Sequence, residues 1–223
     1  MLASRALIRS ALGTNTWKAY RLDKRLMAED LVIGPHSIDV TLGNIFMCQS
    51  SGLVDAVSRA VRREARICID PYMPLADQNV SYDRMQADSI ELRPGQFLLA
   101  FAQERFDTEE PVEVVTGRTN HGDEVTSNFV FTQIYDGRST MGRLGIMSHV
   151  TAGYGDYGFK GNFTLELANV GEASVILHAG MRIGQVSFHG ILGGLLGIPH
   201  KYNGAYPNQR NEPVAPVLGR DRF

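Results

Sequence analysis

Glycine and proline cut this chain into short pieces, and most of the pieces carry the two-residue period of strands. Ser37 to Met47 (SIDVTLGNIFM) sets Ile38, Val40 and Leu42 on one side and Ser37, Asp39 and Thr41 on the other, the pattern of a half-buried strand. Ser89 to Leu92 runs into the turn Pro94-Gly95, and Gln96 to Gln103 comes next as another strand. Val130 to Tyr135, Ser174 to Leu177 and Met181 to Phe188 read the same way. Residues 2–12 are the exception, an amphipathic helix with Ser4 as its cap and Gly13 as its stop. Many short strands with at most one or two helices predict an all-β fold, a barrel or jelly roll.

The segments between are less regular. Ser51 to Arg66 reads as a surface helix or a ragged loop, and Pro71 and Pro74 break any regular element after it. Glu104 to Glu113 is acidic and reads as a solvated loop. Thr116 to Ser127 reads as an exposed excursion. The tail from Pro199, with Pro207, Pro213 and Pro216, has little apolar periodicity. It reads as an arm or lid ordered by a ligand or a neighbouring subunit. The expected organisation is one domain over residues 1–198 with an insertion near 107–127, then a C-terminal arm over 199–223.

Composition narrows the function. With 24 acidic against 22 basic residues the net charge is −2, which makes no case for binding long nucleic acid. An anionic partner must then be small and held by local basic groups. Cys48 and Cys68 stand alone, without the spacing of a disulfide framework or a zinc site. No segment approaches the ~20 apolar residues of a membrane span, and a cytoplasmic protein is expected. The basic, acid-free stretch 1–22 fits a transit peptide or an ordinary first helix, and the helix is preferred. The six histidines lack metal-ligand spacing, and His149 reads as a satisfied buried histidine.

Chemistry concentrates between Asp136 and Asn169. Gly137-Arg138-Ser139-Thr140-Met141-Gly142-Arg143 offers hydroxyls, backbone N–H groups and two arginines, a set suited to phosphate oxygens, although not a Walker loop. Asp156 lies between glycines that allow close approach of the backbone. In Phe163 to Ala168 the apolar residues share one face and leave Glu166 on the other with Thr164. A carboxylate so placed is either a solvent-facing strand residue or a general base and acid beside a cleft.

At these residues the chain resembles the dCTP deaminase branch of the trimeric dUTPase-like family. GRSTMGRLGI is similar to G-R-S-S-L-(A/G)-R-L-G-L, and HVTAGYGDYGFKGNFTLELAN to H-x-T-A-x-x-x-D-P-G-(F/W)-x-G-x-x-x-L-E. PHSIDVTLGNIF, LRPGQF, AGMRIGQ and Lys201-Tyr202 resemble further blocks of that family. The resemblance implies a dUTPase-like β-clip fold, assembled as a homotrimer with sites between subunits. It implies Glu166 as the catalytic acid and base, Ser139 and the carbonyl of Ala152 as orienters of water, and Arg143 as electrostatic support. Arg138, Ser139, Thr140, Met141, Gly142 and Arg143 would meet the nucleotide, Asp156 the deoxyribose, and the backbone of Thr164 and Leu165 the base. Lys201 would close from the arm, and the family's glutamine there falls at Gln209 if a gap is allowed or at Ala205 if not. No zinc is implied, and Mg²⁺ would arrive on the substrate phosphates. The implied activity is hydrolysis of dCTP to dUTP and ammonia. A bifunctional enzyme ending at dUMP and pyrophosphate is the alternative, which Thr151-Ala152-Gly153-Tyr154 and Phe159 resemble somewhat more. A nucleotide-binding trimer without turnover is the third reading. The chain departs from the pattern at Tyr157, which stands where the family has proline, and after Tyr202.

Overall fold

Alternating burial turns this chain into two curved sheets around one apolar core. The structure, a computed structural model, describes residues 2–50, 69–78, 80–191, 206 and 209–217. The expected element at 51–66, Cys68 and Lys201-Tyr202 lie outside them. In chain order the elements are α1 (Arg5–Gly13), β1 (Lys18–Arg21), β2 (Lys24–Leu26), β3 (Ser37–Thr41), β4 (Ile45–Ser50), β5 (Ser81–Gln86) and β6 (Ser89–Leu92). Then come β7 (Phe97–Asp107), β8 (Val112–Arg118), β9 (Glu124–Gly137), α2 (Ser139–Arg143), β10 (Ile146–Met147) and β11 (Tyr154–Gly155). The last three are β12 (Asn162–Asn169), β13 (Val175–His178) and β14 (Arg182–Ile191). One sheet orders β10-β12-β7-β1-β2, with β4 joining β7 and β5 joining β4; the other orders β11-β9-β14-β3, with β8 on β9. A separate β13–β6 ribbon completes the all-β, dUTPase-like β-clip.

The inward faces supply the core. Trp17 meets Phe131 edge-to-face and Phe188 at a tilt, with ring centroids 5.0 and 4.9 Å away. α1 starts where Ser4 accepts a hydrogen bond from the Leu7 N–H and buries Ile8, Ala11 and Leu12. No helix among the described residues is long and apolar enough to cross a membrane.

Two expectations change, and a third, the exposed excursion, takes a definite form. The strand expected over Ser37–Met47 is two strands, β3 in one sheet and β4 in the other. The break falls at Gly43, where an added Cβ would drive into the Phe101 ring. The acidic segment is not a loop from Glu104 onward, because β7 continues to Asp107 and Glu104 is 0% exposed. Its carboxylate accepts from Arg21 Nε at 2.6 Å, from the Thr41 N–H at 2.6 Å and from Thr41 Oγ1 at 2.9 Å. A buried carboxylate is tolerable when its lone pairs are taken up in this way. The excursion after it is a hairpin: β8 pairs with the exposed first half of β9, whose second half enters the sheet.

Candidate active site

β12 buries Phe163, Leu165 and Leu167 and turns Thr164 and Glu166 the other way. A bulge falls between Asn162 and Thr164, where the pairing with β7 shifts. The Asn162 side chain holds the bulge, donating to the carbonyls of Ala102 at 2.8 Å and Gln103 at 3.1 Å. Glu166 and Thr164 thereby line a cavity of about 430 Å³, of a size that accepts a small ligand. One Glu166 oxygen, Oε2, accepts from the Val150 N–H at 2.8 Å. Ala152 and Asp156 line the same cavity.

Asp156 reaches it from a fixed bend. β11 pairs with β9, the Phe159 N–H closes on the Asp156 carbonyl at 2.9 Å, and Gly158 takes φ +88, a conformation that favours glycine. Tyr157, in the place of the family's proline, is buried, and its hydroxyl donates to the Glu109 carbonyl at 3.2 Å. Lys160 forms an ion pair with Glu109. The bend is therefore held from the β7–β8 connection instead of by a proline ring.

The C-terminal segment forms another wall. The Asn162 N–H donates to the Gln209 carbonyl at 2.9 Å, and the Asn211 N–H donates to Asn162 Oδ1 at 3.0 Å. Thr164 Oγ1 lies 2.5 Å from Gln209 Oε1 and accepts from the Val214 N–H at 3.1 Å. Gln209, Val214 and Pro216 thus line the cavity together with Glu166.

The arginine-rich turn opens elsewhere. β9 ends at Gly137, Arg138 caps the one-turn helix α2, and Arg138, Ser139 and Gly142 line a second cavity of about 450 Å³ with Asp136, His149 and Gln185. Thr140 and Arg143 are exposed on α2. Met141 and Leu165 are buried, so what they can offer a ligand is their backbone. The two cavities share no lining residue. The structure brings Glu166, Ala152, Asp156, Thr164 and Gln209 together and leaves Ser139 and Arg138 apart from them within one chain. His149 is not a satisfied core residue: its Nε2 lies 3.6 Å from Asp136 Oδ1, it lines the second cavity, and Nδ1 is buried with no hydrogen-bond partner among the described residues.

Some lining residues carry no motif. Gln49 and Tyr82 meet only through the register of β4 with β5, where Gln49 Nε2 donates to the Tyr82 hydroxyl at 2.8 Å. Asp39 receives Arg138 and Arg182 on one oxygen. Asp39 lines neither cavity; in the sequence it is marked as a charge in an alternating strand within the block PHSIDVTLGNIF, with nothing to link it to the arginines.

The two sheets and their ribbon are those of a dUTPase-like protein. Comparison with known proteins narrows this. The dCTP deaminase-like family matches residues 110–191. A protein of Methanospirillum hungatei JF-1 named dCTP deaminase, dUMP-forming, is 35% identical over 184 residues, 82% of each chain. Proteins of the same name from Coprothermobacter proteolyticus and Dictyoglomus turgidum are 32% identical over 79% of this chain and 78% of theirs, and 33% identical over 85% and 82%. The chain belongs to the dCTP deaminase family. The relatives also correct the expected product: dUTP is the main expectation from the sequence, and they are named for forming dUMP, the alternative.

Proposed function

We propose that this protein deaminates dCTP and carries the nucleotide through to dUMP, releasing ammonia and pyrophosphate. The observation that carries the reading is the dUMP-forming name of relatives matched over most of both chains. The chemistry asked of the residues is modest. A water adds to C4 of cytosine, the C4–N bond breaks, and the amine leaves as ammonia. Glu166 takes the proton from that water and returns it to the departing amine. The Val150 N–H occupies one carboxylate oxygen and leaves the other for the water, which the Ala152 carbonyl and Ser139 orient, with Arg143 as electrostatic support. A second water then attacks phosphorus, and the bond between the α-phosphorus and its bridging oxygen breaks to give dUMP and pyrophosphate.

Asp156 receives the deoxyribose, the backbone of Thr164 and Leu165 the base, and the turn from Arg138 to Arg143 the phosphates, with Lys201 and Gln209 added from the arm. Since the turn and Glu166 lie in cavities without a common residue, the reading includes a homotrimer in which one subunit's turn completes its neighbour's Glu166 cavity. Leu144, Met147 and Val150 are exposed along this surface and suit an interface of that kind. Mg²⁺ belongs to the substrate in this scheme. Asp136 and Arg138 at the second cavity fit a phosphate-borne, hydrated ion better than a protein cage.

Separation of the products made from dCTP tests the proposal: dUMP with pyrophosphate is expected, and dUTP as the sole final nucleotide sinks it. Glu166→Gln should lower ammonia release by about 10²–10⁴-fold while dCTP still binds. Unchanged release in that variant removes Glu166 from the mechanism.

A further inference from the structure

One oxygen of Asp39 holds two guanidinium groups: Arg138 Nη1, in the closer of the two pairs, and Arg182 Nη1 at 3.2 Å. Asp39 projects from β3 on the face opposite Ile38 and Val40, which are buried in the core. Across the sheet, Asp39 pairs with Gln185 of β14, and Gln185 pairs with Asp136 of β9. This polar row ends two residues before Arg138. Gln185 is itself fixed, its Oε1 accepting from Ser37 Oγ at 2.9 Å, and it lines the second cavity beside Arg138. The Asp39 side chain is 16% exposed, Arg138 27% and Arg182 52%.

The three charges sum to one positive charge. Without the carboxylate, two guanidinium groups would face each other at close range, and the partly buried Arg138 would have no fixed direction. With it, Arg138 spends one arm of its fork on Asp39 and keeps its remaining N–H donors for a ligand. Arg182, the more exposed partner, shares the carboxylate and lowers its hold on Arg138.

We propose that Asp39 is a positioning residue that aims Arg138 at a phosphate of the ligand, with Arg182 as its counter-charge. This rests on the reading that the turn receives phosphates, and it adds a residue that none of the turn's motifs contains. Positioning and bulk electrostatics give opposite signs in Asp39→Asn. That variant adds one net positive charge, so attraction alone would tighten a polyanion, whereas loss of aim weakens it.

Calorimetric titration of the full chain with dCTP and with inorganic tripolyphosphate tests the inference, with kcat and KM for dCTP alongside. Asp39→Asn is expected to weaken both ligands about tenfold, with KM rising more than kcat falls. Unchanged or tighter binding overturns the inference. Asp39→Glu serves where the Asn variant does not fold: it keeps the charge but moves the oxygen by one methylene, and unchanged affinity there overturns the inference as well. Arg182→Gln should change affinity less than about threefold; a loss equal to that of Asp39→Asn places the acting contact on Arg182 and overturns the role of Arg138. Failure of the wild type to turn over dCTP would overturn the proposed reaction, while the tripolyphosphate titrations still decide the role of Asp39.

Discussion

Thr164 stands beside Glu166 on β12, and its one hydroxyl ties down two parts of the C-terminal segment, the Gln209 side chain and the Val214 N–H. The segment walls the cavity without filling it, since about 430 Å³ remains open beside it. Replacement of the hydroxyl by a methyl in Thr164→Val leaves the strand's shape intact and removes both contacts. Each such bond is worth about 1 kcal/mol net, too little to unfold the domain but enough to raise the open population of the segment about fivefold to thirtyfold. Arg210 is exposed within that segment. Tryptic cleavage after Arg210 should therefore accelerate by that factor in Thr164→Val while the melting temperature moves by a few degrees at most. Equal cleavage rates in the two proteins would mean that the hydroxyl does not hold the segment.

Elements were legible where their pattern is local and illegible where distant residues decide. β12, β13, β14 and α1 are set by periodicity and caps that lie within a few residues of one another. The length of β7 is not, because an acidic run reads as solvated unless its partners are known, and the partners of Glu104 lie 83 and 63 residues away in Arg21 and Thr41. The same holds for the break between β3 and β4, where Gly43 matters because Phe101 from β7 packs against it. Glu104 therefore joins β1, β3 and β7 at a fully buried point, and Glu104→Ala should cost more than any surface charge. Breaking a buried pair leaves the Thr41 N–H and the Arg21 guanidinium without their acceptor, a loss of about 3 kcal/mol. A fall in melting temperature of roughly 6–12 °C is expected in thermal denaturation. A fall of under about two degrees would show that water replaces the carboxylate at little cost.

At the scale of the whole molecule, the motifs picked out candidate residues but not how the fold groups them. Glu166, Ala152 and Asp156 are read from one continuous stretch and do share a cavity, whereas Ser139 and Arg138 come from the same stretch and open into another. Proximity in sequence did not predict proximity in space because β9 carries the turn on one sheet and β12 carries Glu166 on the other. If neighbouring subunits complete each other's sites, two inactive variants should repair one another. Glu166→Gln lacks the carboxylate proposed as acid and base, and Ser139→Ala lacks the hydroxyl of the turn. In a ring assembled from equal amounts of both, a site is intact when a Glu166-bearing subunit meets a Ser139-bearing neighbour, which random mixing produces in about one quarter of interfaces. Unfolding the two variants together and refolding them should thus restore about a quarter of wild-type turnover per site, while each variant refolded alone stays inactive. Restoration that fails in refolded, correctly sized mixtures would place both residues in sites built within a single chain.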